Sequence, residues 1–264
     1  MFTRTGAYAG VTRAQTFDTD FSGDGRADLF ARRSSGGTAY AYRGTTLKTR
    51  SSAGSGWGGY DKVLQTDLDR DGVVDYVART TAGVVRWRHL SSGQWVNSRI
   101  ATGWRGVRQI VAPGDVTGDA LPDLVTVDSA GTLWRYPGNG RGGFGSRVKI
   151  GSGWKTYTQV VAHGDFTGDG RPDLVGRTSA GALYVHPSST TGTYPFGTRK
   201  LVSRTVFKSA TALVAVGDVN GDGKADLVAR TASGALWLHK GKGNGTFATA
   251  VKGATGLSSF NLLG

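Results

Sequence analysis

Sixteen of the nineteen acidic residues in this 264-residue chain fall into five nine-residue segments, and all nineteen are Asp. The segments run 20–28, 67–75, 115–123, 165–173 and 218–226. Position 1 is always Asp: Asp20, Asp67, Asp115, Asp165 and Asp218. Position 3 always carries a side-chain oxygen: Ser22, Asp69, Thr117, Thr167 and Asn220. Position 5 is Asp24, Asp71, Asp119, Asp169 and Asp222, and position 9 is Asp28, Asp75, Asp123, Asp173 and Asp226. Position 7 varies freely, as Arg26, Val73, Leu121, Arg171 and Lys224, which suits a site where only the backbone carbonyl is used. Oxygen donors at alternate positions of a tight loop are what a hard cation of the size of Ca²⁺ takes. Three or four carboxylates within nine residues repel one another unless a cation lies among them. The spacing therefore predicts up to five Ca²⁺ loops rather than ordinary Asp/Gly turns. Position 12 carries Ala31, Ala78, Thr126, Gly176 and Ala229, never the Glu of an EF-hand. Position 6, where the chain turns sharply, is Gly in four loops and Ala120 in the third. Ala dislikes a left-handed backbone, so the third loop is expected to be the weakest.

The loops recur at intervals of 47, 48, 50 and 53 residues, a period that signals a propeller or solenoid. Each repeat has one internal order. An apolar run precedes the Asp loop (159–162), a second follows it (173–177), a Ser-Ala-Gly type turn leads to a third (182–186), and a Gly/Ser/Thr loop leads to a fourth (197–202). Four short strands make an up-and-down sheet that cannot bury both faces alone. Five such sheets packed radially can. The expected fold is all-β, a five-bladed β-propeller of four-stranded antiparallel blades in a single domain spanning 1–264.

Composition agrees. Glycine is 43 of 264 and Glu is absent, which disfavours helices. Tyr40, Trp87, Trp134, Tyr184 and Trp237 share one site of the third strand, and Tyr42, His89, Tyr136, His186 and His239 lie two residues on. Leu47, Trp95, Phe144, Phe196 and Phe247 open the fourth. All three sets are expected to pack between blades. There is no Cys, hence no disulfide, thiolate zinc site or Cys nucleophile. No apolar run approaches the ~18 residues of a membrane helix. Residues 1–10 lack the apolar core of a signal peptide; an exported protein would here be a mature form or a part of something longer.

Enzyme chemistry finds little to use. No Glu is available, most Asp are committed to loops, and no nucleophile elbow, zincin or Walker motif is present. The Gly-x-Gly-x-x-Gly match at Gly138–Gly143 joins two strands rather than opening a helix, so a hairpin turn is expected. His163, beside the Asp165 loop, is the single residue worth testing for catalysis.

Strand parity places the Asp loops on one face and the inter-blade links on the other. The links carry Trp57, Trp104 and Trp154, then Phe207 and Leu257 at the same site, with Tyr60, Tyr157 and Phe260 three residues on. The second strands end on the same face with Arg32, Arg79, Arg177 and Arg230, and Val127 in the third repeat. Two readings stay open. Each ring plugs a blade junction, or the rings and Arg residues form a ring of pockets for sugar or anionic ligands. The formal charge of +13 favours anionic partners, including salt-sensitive, sequence-indifferent nucleic acid binding.

In these Asp loops the chain resembles the FG-GAP/VCBS repeat proteins, best known from the integrin α-chain propellers, over roughly residues 14–250. The Phe-Gly element stands at Phe144-Gly145 and Phe196-Gly197. The Gly-Ala-Pro element is replaced by Pro113-Gly-Asp, His163-Gly-Asp and Val216-Gly-Asp. The resemblance implies a calcium-bound, commonly extracellular propeller. Integrin propellers have seven blades; five repeats here resemble five-bladed lectins of the tachylectin type. The expectation is a secreted, non-catalytic, lectin-like module for glycan or anionic cell-surface polymer. The alternatives are a protein-interaction scaffold in an extracellular complex and, more weakly, a calcium-dependent hydrolase. Residues 260–263 look like the start of another first strand, placed to pair beside Ala14 to Phe17 and close the ring.

Overall fold

In a computed structural model, which describes residues 18–189 and 196–263, the chain forms five four-stranded antiparallel sheets. Blade two comprises β4 (Tyr60–Thr66), β5 (Asp75–Thr80), β6 (Val85–Ser91) and β7 (Gln94–Ala101). Blade three comprises β8 (Gln109–Gly114), β9 (Asp123–Val127), β10 (Leu133–Tyr136) and β11 (Val148–Gly151). Blade four comprises β12 (Tyr157–Ala162), β13 (Leu174–Thr178), β14 (Leu183–His186) and β15 (Lys200–Ser203). Blade five comprises β16 (Ala210–Gly217), β17 (Asp226–Thr231), β18 (Leu236–His239) and β19 (Val251–Lys252).

Blade one is assembled from both ends of the chain. Its β1 (Leu29–Arg33), β2 (Ala39–Arg43) and β3 (Thr49–Ser52) are joined by the C-terminal β20 (Phe260–Leu263), which pairs antiparallel with β1 through Arg33–Phe260, Arg32–Leu262 and Ala31–Leu263. The C-terminal strand thus occupies the first-strand position that β4 holds in blade two. The expected partner stretch, Ala14 to Phe17, lies outside the described residues. The first strands touch one another in the circular order β20, β4, β8, β12, β16 and back to β20, so the ring closes at five.

Each apolar cluster spans two neighbouring blades. Phe30 and Ala39 of blade one pack with Trp57, Tyr60, Val63 and Tyr76 at the edge of blade two. Leu29, Tyr42 and Leu47 pack with Val214, Leu236, Leu238 and Leu257 of blade five and its link. This is why the second strands read as near-continuous buried runs, such as Asp75 to Ala78 and Asp123 to Val127, instead of alternating. The outer strands are short and mostly exposed. Blade two differs: β6 and β7 are long, and the extended hairpin leaves Trp95 45% exposed. Trp95, expected to pack between blades, is thus half-exposed, with its ring lying 5.8 Å from that of Tyr76.

Candidate functional site

The Asp loops connect the first and second strands of blades two to five, and loop 20–28 leads into β1 of blade one; each is held by its own carboxylates. The position-1 Asp accepts backbone N–H groups from positions 4 and 6: Gly23 and Gly25 on Asp20, Gly118 and Ala120 on Asp115, Gly168 and Gly170 on Asp165, Gly221 and Gly223 on Asp218, at 2.6–2.8 Å. The position-5 Asp caps the N–H of position 7, as in Arg26 N to Asp24 Oδ1 at 3.0 Å. This geometry needs a left-handed backbone at position 6. Ala120 adopts it at φ 65°, where the other loops have Gly. Loop two carries a second non-Gly residue in this region, Arg70 at φ 64°, a strain that its extra carboxylate, Asp69, accompanies.

The position-9 Asp residues are buried and tie two loops together. Asp123 Oδ2 accepts from Val116 and Thr117, and its Oδ1 accepts from Gly138 in the third-to-fourth connection. Asp173 and Asp226 repeat this with Ser188 and Gly241. In blade two, Asp75 Oδ2 accepts from Leu68 and from Trp87 Nε1. Burial pushes these carboxyls up, to about 6 for Asp123, Asp173 and Asp226, about 7 for Asp28 and about 8 for Asp75. Asp28 Oδ1 is fully buried with no hydrogen-bond partner.

Among the described residues, three carboxylates converge within 4.8 Å in two loops: Asp67, Asp69 and Asp71 in loop two, and Asp165, Asp169 and Asp173 in loop four. Both sets fit a hard divalent cation, as does the orphaned Asp28 oxygen. Asp75, expected to join its cluster, does not belong to the group of three. The position-7 side chains of Val73, Arg171 and Lys224 are exposed, as a carbonyl-only position allows, whereas Arg26 is half-buried.

The link residues divide differently from the pocket expectation. Trp57 is 2% exposed, and Trp104, Trp154, Phe207, Tyr60 and Tyr157 are also buried. Trp57 packs against Phe30 and Tyr76, with ring centroids 4.7 and 4.9 Å away. The Arg residues face the backbone of the next link. Arg32 Nη1 donates to Trp57 O and Tyr60 O, both at 2.6 Å. Arg79 Nη1 donates to Trp104 O and Val107 O, at 3.2 and 2.6 Å. Arg177 bonds Phe207 O and Ala210 O, and Arg230 bonds Leu257 O and Phe260 O. Four of five junctions share this carbonyl clamp; the third, with Val127, lacks it. The open ring of Trp and Arg pockets is not formed, because burial leaves the rings no face to offer and the carbonyls occupy the guanidinium groups. Of the two readings, the junction plug describes Trp57, Trp104 and Phe207.

His163 is also buried, with Nδ1 3.1 Å from Ala112 O. Asn139 Oδ1 accepts from Arg141 and Gly143 N–H, so the Gly138–Gly143 stretch is a hairpin turn.

Two open clefts lie farther out, at one repeated position. Between blades three and four, a cleft of about 370 Å³ is lined by Ile150, Gly151, Trp154, His186, Phe196 and Arg199. Between blades five and one, a cleft of about 600 Å³ is lined by Tyr42, Lys48, Arg50, Lys252, Ala254 and Thr255. The correspondence is residue by residue: Tyr42 matches His186, Arg50 matches Arg199, and Ala254 matches Gly151. Arg199 Nη1 donates to Tyr157 OH at 2.9 Å, and His186 Nε2 lies 2.8 Å from the same oxygen. Burial lowers His186 to about 4, so it is neutral. Arg199, Arg147 and Arg50 sit over the third-strand rings of Tyr184, Trp134 and Tyr40, at 4.4, 4.1 and 4.7 Å from the centroids. Their constant offset from Phe196, Phe144 and Leu47 was the sequence signal that could have singled them out.

A closed five-bladed propeller with an Asp-rich loop before the second strand of each blade defines the class of protein. The chain belongs to the FG-GAP-like repeat family, whose model matches residues 20–78, 115–176 and 165–229. No curated protein sequence matches the chain. Among solved structures it is similar in fold to AofleA from Arthrobotrys oligospora, at 11% identity and TM-score 0.54, covering 88% of this chain and 71% of that one. It is also similar to the BP39L lectin from Burkholderia pseudomallei, at 16% identity and TM-score 0.52, covering 87% and 70%.

Proposed function

We propose that this propeller is a non-catalytic, calcium-stabilised binding module with lectin-like recognition of glycan or anionic cell-surface polymer. In this reading it works outside the cell as a targeting subunit or domain. The observation that carries the proposal is the repeated inter-blade cleft. Aromatic rings, a guanidinium and backbone polar groups meet there in an open cavity of a size within the ~300–1,000 Å³ typical of ligand sites. Saccharides present apolar ring faces and fixed hydroxyls, which Phe196 on one side and Arg199 on the other are suited to meet. The likeness to a protein described as a lectin supplies the fold; the saccharide reading comes from the clefts.

Asp67, Asp69 and Asp71, and Asp165, Asp169 and Asp173, would hold the cation, which supplies the positive charge that lets these carboxylates ionise together. The loops' own part is to fix the first-to-second turn and, through position 9, the third-to-fourth connection. The loops then brace the outer strands that form the clefts.

A second reading is a protein-interaction scaffold. The exposed β7 edge with Trp95 and Val96 favours it. A glycan array probed with the wild type and an Arg199→Gln variant separates the two. Saccharide-competable binding that Arg199→Gln weakens supports the module proposed. An array without binding, together with stoichiometric capture of one protein that Trp95→Ser abolishes, supports the scaffold.

A further inference from the structure

The two clefts differ in charge, and the larger one carries three cations. Lys48 and Arg50 come from the start of blade one's outer strand, and Lys252 comes from the end of blade five's. No acidic residue lines this cleft. Among the described residues the ion pairs are Arg26 with Asp24 and Arg79 with Asp61, so none of the three cations has a carboxylate partner. Arg50 is held in place by its own blade: its Nη1 lies 3.4 Å from Tyr42 OH, and its guanidinium lies over Tyr40. Blades five and one approach closely here. A Cβ on Gly253 would lie 2.6 Å from Thr46 O, so only glycine lets the two cationic edges come this near. An anion entering a cleft lined by three cations and no carboxylate is attracted by all three. The equivalent cleft between blades three and four has one cation, Arg199, and a neutral His186.

We propose that the junction between blades five and one binds an acidic saccharide unit, a sugar bearing carboxylate, sulfate or phosphate. Lys48, Arg50 and Lys252 pair the acid group, and Thr255 and the 253–255 backbone meet the hydroxyls. This inference rests on the saccharide reading above and assigns the acidic specificity to one junction. The cleft suits a sugar better than a nucleotide. Tyr42 is buried and offers no face for a base to stack on, whereas single-strand binders rely on such platforms.

The test uses the full chain, a short galacturonate oligomer and a neutral galactose oligomer of equal length, titrated at near-physiological salt. Variants are Lys48→Gln/Lys252→Gln and, as a charge-matched control at exposed sites elsewhere, Lys155→Gln/Lys208→Gln. Unliganded melting curves establish that both fold. The acidic oligomer should bind at least about tenfold tighter than the neutral one, and the Lys48→Gln/Lys252→Gln variant should lose about that factor while the control keeps it. Neutral and acidic oligomers binding equally, with both variants unchanged, overturns the acidic site and leaves the saccharide reading standing. No binding of either oligomer overturns both. Inorganic sulfate or a short single-stranded oligonucleotide binding as tightly as the acidic oligomer, through the same two lysines, overturns the saccharide assignment.

Discussion

Arg32 Nη1 lies 2.6 Å from the carbonyl oxygens of both Trp57 and Tyr60, twenty-five and twenty-eight residues further along the chain. One guanidinium thus closes the turn that carries blade one into blade two. Because Arg79, Arg177 and Arg230 do the same for their own links, the propeller is held at its junctions by cations on backbone oxygens as well as by rings. A buried carbonyl satisfied by a charged donor is among the stronger protein hydrogen bonds.

Arg32→Ala should therefore cost about 3–6 kcal/mol, the worth of two charge-assisted bonds, and lower the melting temperature by several degrees or more. Arg32→Lys should recover less than half, since an ammonium lacks the planar fork. Calorimetric melting of the three proteins checks this; equal melting temperatures would remove the clamp from the stability account.

Trp57→Ala should cost about 3–5 kcal/mol, as large truncations in cores do. It should leave saccharide affinity unchanged in the surviving folded protein. Trp154→Ala should both destabilise and weaken saccharide binding, because Trp154 also lines the cleft between blades three and four. Melting curves beside array binding separate the two effects.

The five-fold period and the four-strand repeat were legible because every repeat restates them with an Asp loop in register; residues 260–263 were legible as a first strand, but not their pairing with β1. The partner of each Arg was not. Sequence puts Arg32 and Trp57 at one repeat site, but it cannot show whether the guanidinium meets the ring or the carbonyl behind it. Nor could it assemble the cationic cleft. Lys48 and Lys252 are neighbours only because the ring closes, and no local pattern joins residues two hundred positions apart.

Without a cation, the position-9 carboxyls make stability fall as pH rises. Their folded pKa values, about 6 to 8, lie above the unfolded value, so their contribution is full below about pH 4 and is lost as pH climbs through 6 to 8. Calcium should reverse this, because the ionised loops bind it and its apparent affinity rises with pH. The gap between melting temperatures with calcium and with a chelator should therefore widen from pH 5 to 8. A constant gap of zero would remove calcium from the account.

His186 carries the opposite sign. Its folded pKa, about 4, lies below the unfolded value, so its contribution is full above about pH 6.5 and is lost as pH falls toward 4. The advantage of the wild type over His186→Gln should shrink across that window, as melting at each pH in the presence of calcium would show.

The chain's formal charge of +13 should make binding to any polyanion strongly salt-dependent, and occupied calcium loops steepen the dependence by cancelling Asp charge. Retention on nucleic acid at low salt should be indifferent to sequence and vanish near physiological salt. Filter binding across a salt series checks the slope.

Crystals grown with calcium and the saccharide that binds best on the array give the most direct test of the inter-blade site. The account predicts sugar density at the blade junctions, against Arg199 and Phe196 between blades three and four or against Arg50 and Lys252 between blades five and one. Density on the Asp-loop face, or empty junctions beside a sugar bound elsewhere, would contradict it.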